Sequence, residues 1–230
     1  MNVKGLFVKD RVKEIVNNRT PVKFLTSAKI ILHIIPDSSM SRDQELDIEI
    51  ITRNPNNLEP IKAVVVESSH NYDGFVTYSS DISGVARSYV QLYKKGIIEA
   101  VEGNLLKPLV LKLEIPSIAY EEELMRSLPI YINVLKKLEI KPPLSLFLSF
   151  VGVKGYSMKL KQPILGTTPT EVAEDELLLS EIFVEDYEQF EDLPRLLKPW
   201  FDEVWNACGM FKSFNYDEEG NWGAGLNIRE

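Results

Sequence analysis

Ser88-Tyr89-Val90-Gln91-Leu92-Tyr93-Lys94-Lys95-Gly96-Ile97-Ile98-Glu99-Ala100-Val101 reads as two apolar runs around a Lys-Lys-Gly turn, the pattern of an antiparallel hairpin. Upstream, Asn71-Tyr72-Asp73-Gly74 is a turn in which glycine takes a positive φ without steric cost. It joins the β-branched run Ala63 to Glu67 to a strand starting at Phe75. Downstream, Leu109, Leu111, Leu113 and Ile115 alternate with Val110, Lys112 and Glu114 and extend the antiparallel meander. Ile30 to Ile35 is a buried strand ended by Pro36. Leu46, Ile48 and Ile50 alternate with Asp47 and Glu49 and predict a half-exposed strand closed by Asn54-Pro55.

Helical spacing accounts for the rest. Val8, Val12, Ile15 and Val16 mark an N-terminal basic helix that ends before Thr20-Pro21. Leu124, Leu128, Tyr131, Leu135 and Leu138 form the stripe of a second helix, with Ser117 as its cap and a kink expected at Pro129. Leu193, Leu196, Leu197, Trp200, Phe201, Val204, Trp205 and Cys208 share one face of a third, with Gly209 as its stop. Leu144 to Val151 predicts a central strand, turned by Gly152 to Tyr156 into another towards Leu160, and Leu177 to Val184 a further one. The fold class expected is α+β: a mainly antiparallel sheet in one domain, with helices covering one side. The organisation expected is an N-terminal basic helix or linker (1–20), the α+β domain (21–210) and an aromatic C-terminal tail (211–230).

The 230 residues carry 34 acidic and 26 basic side chains, a net charge of −8. A chain of this length buries enough surface to fold without disulfide or metal. Ten of the acidic residues lie between Glu171 and Asp192, which contains no lysine or arginine; outside it 24 acidic face 26 basic. The acidity is therefore local, as in a hydrated face. A single cysteine, Cys208, excludes an intramolecular disulfide framework and a cysteine-built zinc site. With only His33 and His70, a three-histidine zinc site is excluded too. The start lacks the apolar core of a signal peptide, and no apolar run approaches the ~20 residues of a membrane span. A soluble cytoplasmic protein is expected.

Catalytic motifs are sparse. There is no phosphate-cradling glycine loop, no Gly-x-Ser-x-Gly elbow and no His-Glu-x-x-His. Glu139-Ile140-Lys141 matches only the short Glu-x-Lys fragment that nuclease sites use. His33, within an apolar strand, reads as a core or sheet-face histidine. His70 and Asp73 crowd polar groups at a turn and are the candidate catalytic residues. Cys208 on an apolar helix face reads as core, since reactive thiols need an electropositive, partly exposed setting. Nothing implies a cofactor or a resident metal.

The tail is the least ordinary feature. From Trp200 to Trp222 seven of 23 residues are aromatic, and those beyond the helix are costly to leave in water. They dock either on the domain or on a partner. Asn206, Ser213, Asn215, Tyr216, Asp217 and Trp222 are the candidate binding or interface residues.

Trp205-Asn206-Ala207-Cys208-Gly209 and Ser213-x-Asn215-Tyr216-Asp217-x-x-Gly220-x-Trp222 occur with Leu32-His33-x-x-Pro36, Asn71-Tyr72-Asp73-Gly74, Ser88-Tyr89-x-Gln91-Leu92 and Gly152-Val153-x-Gly155-Tyr156. Together they resemble the C-terminal module of bacterial proteins that begin with a Schlafen-type AlbA DNA-binding domain. The resemblance spans about Lys9 to Trp222 and supplies no catalytic residue. The AlbA domain itself is absent from this sequence. The resemblance implies a context, that of an AlbA-type, nucleic-acid-binding protein partner supplied in trans or once joined to the chain, and the function expected in that context is a non-catalytic binding or regulatory module. Direct nucleic-acid binding through the N-terminal helix and Lys141 to Lys161 stays open; a membrane role is not expected. The alternative is a small metal-dependent nuclease or hydrolase with its site near His70 and Asp73.

Overall fold

A computed structural model describes residues 3–24, 28–41, 45–108, 112–161, 166 and 168–223. An eight-stranded antiparallel sheet organises the chain. Its main path runs β10 (Ile182–Val184), β7 (Leu144–Val151), β1 (Lys29–Pro36), β5 (Ile98–Glu102), β4 (Ala86–Tyr93), β3 (Gly74–Ser80) and β2 (Glu67–Asn71), and β9 (Glu176–Leu178) also pairs with β7. The Lys-Lys-Gly hairpin joins β4 to β5 as its sequence predicts. Gly74 closes the β2–β3 hairpin at φ 150°, where a Cβ would collide with the Leu92 carbonyl oxygen.

β1 is buried along its whole length, which explains its unbroken apolar sequence: both faces of the sheet are covered. Ile30, Leu32, Ile34, Leu92, Ile98 and Leu148 share a core with α4 (Ser117–Lys137) and α5 (Leu193–Ala207). Ile31, Ile35, Val76, Tyr89 and Val101 instead meet Val8, Val12 and Ile15 of α1 (Val3–Val16). Helices on one side only is thus corrected: α1 forms a second cover because β1 presents isoleucines to both faces. The N-terminal helix belongs to the packed domain.

Several local expectations are revised. Leu46 to Ile50 is not a strand. Leu46 and Ile48 are half-buried against the main core from a loop, and the Asp47 carboxylate accepts the Glu49 N–H where the short helix α3 (Glu49–Thr52) begins. Ala63 to Val66 lies outside the sheet, with Val64 and Val65 exposed, and pairing starts at Glu67. Leu177 to Val184 divides into β9 and β10 because Leu179 to Glu181 leaves the ladder. The strand after Gly152, β8 (Ser157–Lys159), pairs in parallel with β6 (Glu114–Pro116) rather than with β7. α4 runs through Pro129, which sits on its exposed side, and Ser117 is its first helical residue, not its cap. The expected strand residues 109–111 and the tail residues 224–230 lie outside the described residues. A second short helix, α2 (Asp37–Ser41), follows β1. All ten acidic residues between Glu171 and Asp192 are exposed, as a hydrated face requires.

Candidate functional site

Two buried carboxylates organise the polar interior. Glu99 lies opposite His33 across β5 and β1 and is fully buried. It accepts hydrogen bonds from Arg11 of α1 (2.8 and 3.0 Å), Tyr89 Oη (2.9 Å) and Tyr93 Oη (3.3 Å), and lies 3.1 Å from His33 Nε2. Burial alone would raise its pKa, but the contacts with His33 and Arg11 reverse that and hold it at about 2. Burial and the Glu99 charge push the Tyr93 hydroxyl far up. His33 Nδ1, also buried, has no hydrogen-bond partner among the described residues. With His33 and Glu99 both sealed from solvent, this network fastens α1 to the sheet.

Its outer members open onto a cleft. Arg11 and Tyr93, with Arg19, Asn71, Asp73 and Gln91, line a cavity of about 340 Å³ between the end of α1 and the β2–β3 hairpin. Asn71 shapes that hairpin: its Oδ1 accepts the N–H groups of Asp73 and Gly74, while its Nδ2 donates to Gln91. Two further concavities meet the same hairpin, one of about 510 Å³ at His70, Glu45, Glu49 and Lys94, and one of about 200 Å³ at Phe7, Tyr72, Asp73 and Tyr93. Among these three clefts of the described residues, the two candidate catalytic residues line different ones. His70 packs its ring 5.0 Å from Phe75 and lines the first, whereas Asp73 lines the other two. Among the described residues, no group of three or more His, Cys, Asp or Glu side chains could hold a metal ion. Glu139 and Lys141 border an open groove of about 790 Å³ with Lys136 and Tyr187.

The second carboxylate, Glu121 of α4, gathers the tail. It accepts Trp205 Nε1 (2.9 Å), Ser213 Oγ (2.9 Å), Asn215 Nδ2 (2.9 Å) and Trp222 Nε1 (2.6 Å), with Tyr120 Oη at 3.2 Å. Burial raises its pKa, and the tail's hydrogen bonds oppose the rise. The candidate interface residues are thereby placed on the chain's own domain. Ser213, Asn215 and Trp222 bind Glu121, and Asn215 also donates to the Ser117 carbonyl. Tyr216 donates to the Pro194 carbonyl, and Asn206 to the carbonyls of Met210 and Phe211. Asp217 accepts the N–H groups of Glu219 and Asn221 within the last turn. Cys208 is buried, and burial pushes its thiol up to about 11.

Neither Glu121 nor Glu99 was singled out in the sequence as a site residue. Each carried a signal: Glu121 falls on the stripe of Leu124 and Leu128, and Glu99 interrupts a run of apolar residues. No described helix is long and apolar enough to cross a membrane. Compared with protein-family models, curated proteins and solved structures, the chain matches none of them.

Proposed function

We propose that the chain is a non-catalytic binding or regulatory module that acts beside an AlbA-type, nucleic-acid-binding partner. The observation that carries this reading is the two-sided character of α1. Val8, Val12 and Ile15 are buried on the sheet, yet Val3 and Leu6 stand 67% and 51% exposed on the first turns of the same helix. An uncovered apolar pair beside the position where the resemblance puts the AlbA-type domain is a surface for that domain to cover. Nucleic acid is then the partner's to hold. Of the basic residues in the first 29, Lys4, Arg11 and Arg19 are in ion pairs and Lys29 is buried, which lessens the charge available to neutralise phosphates. A hydrolase site at His70 and Asp73 has less support, because these residues line different clefts.

The test is affinity capture of the tagged chain from its own cells, with the bound proteins identified by mass spectrometry. An AlbA-type protein is expected with the wild type and lost with Leu6→Glu, a change at an exposed position. Its absence from the wild-type capture, or equal capture by the variant, overturns the proposal.

A further inference from the structure

The cleft of about 340 Å³ beside α1 carries both signs of charge. Asn18, in the left-handed region at φ 58°, turns the chain out of α1 and sets Arg19 beside Arg11 on one wall. The β2–β3 turn brings Asp73 to the other. Arg11 is a fixed donor. Its Nε and Nη2 are clamped on the buried Glu99, which orients the planar guanidinium and leaves the Nη1 edge without a partner among the described residues. The Arg11 side chain is 21% exposed and lines the cleft. Glu99 does not spend its charge on Arg11 alone, because His33, Tyr89 and Tyr93 share it. Arg19 uses only its Nη1, on Glu14, at 3.0 and 3.2 Å. The Asp73 carboxylate has neither a hydrogen bond nor an ion pair among the described residues, so nothing joins it to either arginine. Opposite charges thus line one cavity without meeting.

We propose that this cleft binds a small zwitterion, a free amino acid, with its carboxylate on the open guanidinium edges of Arg11 and Arg19 and its ammonium on Asp73. A ligand of single charge fits less well: an anion alone meets the Asp73 carboxylate, and a cation alone meets two guanidinium groups. A molecule carrying both charges satisfies both walls. Guanidinium suits the carboxylate end, because its paired N–H groups match two oxygens at once. The cavity is of the size that holds a small molecule. Val3 and Leu6 lie on the first turns of α1 and do not line the cleft, so an occupied cleft leaves the surface proposed for the partner free.

The test is isothermal titration calorimetry of the purified chain with each standard L-amino acid, up to about 10 mM or its solubility limit, a range that includes millimolar affinity. At least one is expected to bind. Its two analogues, one lacking the amine and one lacking the carboxylate, are expected to bind at least about tenfold more weakly. Asp73→Asn and Arg19→Gln, both at exposed positions, are expected to weaken binding by a similar factor with unchanged far-ultraviolet circular dichroism. No binding by any amino acid, equal binding of either analogue, or an affinity indifferent to either substitution overturns the proposal.

Discussion

Glu102 shows how one buried carboxylate makes stability depend on pH. At the end of β5 it is almost fully enclosed, and its oxygens accept the N–H groups of Asn104 (2.9 Å) and Leu105 (2.7 Å). Burial outweighs those bonds and raises its pKa to about 7. A carboxyl with a raised folded-state pKa binds more protons folded than unfolded between the two values, so stability falls as pH climbs through that window. From about pH 4.5 to about pH 7 the loss is on the order of 3 kcal/mol. Glu102→Gln, which cannot ionise, is expected to flatten this slope in urea unfolding followed across that range. A slope equal to the wild type's would show that Glu102 is not its source.

Among the elements, the tail behaves as a strap rather than a free arm. Trp222→Phe keeps an aromatic ring but removes the 2.6 Å bond to Glu121, a charge-assisted bond worth about 1.5–3 kcal/mol. Phe211, in the same segment, is 86% exposed, and Phe211→Ala is expected to change stability by no more than about 0.5 kcal/mol. Denaturant midpoints of the two variants test the contrast, and similar losses for both would contradict the strap. The same elements show what sequence makes legible. The Ser88–Val101 hairpin and the face of α5 were readable because their apolar periods run long enough to exclude other structures. Leu46 to Ile50 was misread because a five-residue alternation also fits a loop that drops two side chains onto a core. Val64 and Val65 were misread because β-branching records suitability for a pleated surface, not the presence of one. Glu121 and Glu99 escaped as site residues because their donors come from 84 to 101 residues away for the tail contacts and 66 to 88 for His33 and Arg11. Such pairings exist only after folding.

At the scale of the whole molecule, the carboxylates pull in opposite directions. Glu99, held at about 2, contributes stability above the usual carboxylate range that is lost as pH falls towards that value. Glu102 and Glu121, both raised, remove stability as pH climbs from that range. Melting temperature is therefore expected to peak near about pH 5 and to decline on both sides; a plateau extending to pH 8 would be inconsistent with these three environments. The layered architecture was only half legible. An α+β sheet followed from its strands, but the second helical layer depended on which face of β1 the N-terminal helix would choose.

The two fastened carboxylates also govern how the protein meets machines that unfold chains from one end. A processive protease pulling on the N-terminal segment must strip α1 from the sheet and leave Glu99 without its arginine. One pulling from the other end must draw two tryptophan-anchoring segments away from Glu121. The first path strands the Glu99 charge in an apolar interior, which costs about 3–5 kcal/mol before any strand has moved; the second breaks the hydrogen bonds that hold the tail on Glu121. Pulling from either side therefore meets a buried, hydrogen-bonded carboxylate before the central strands are reached.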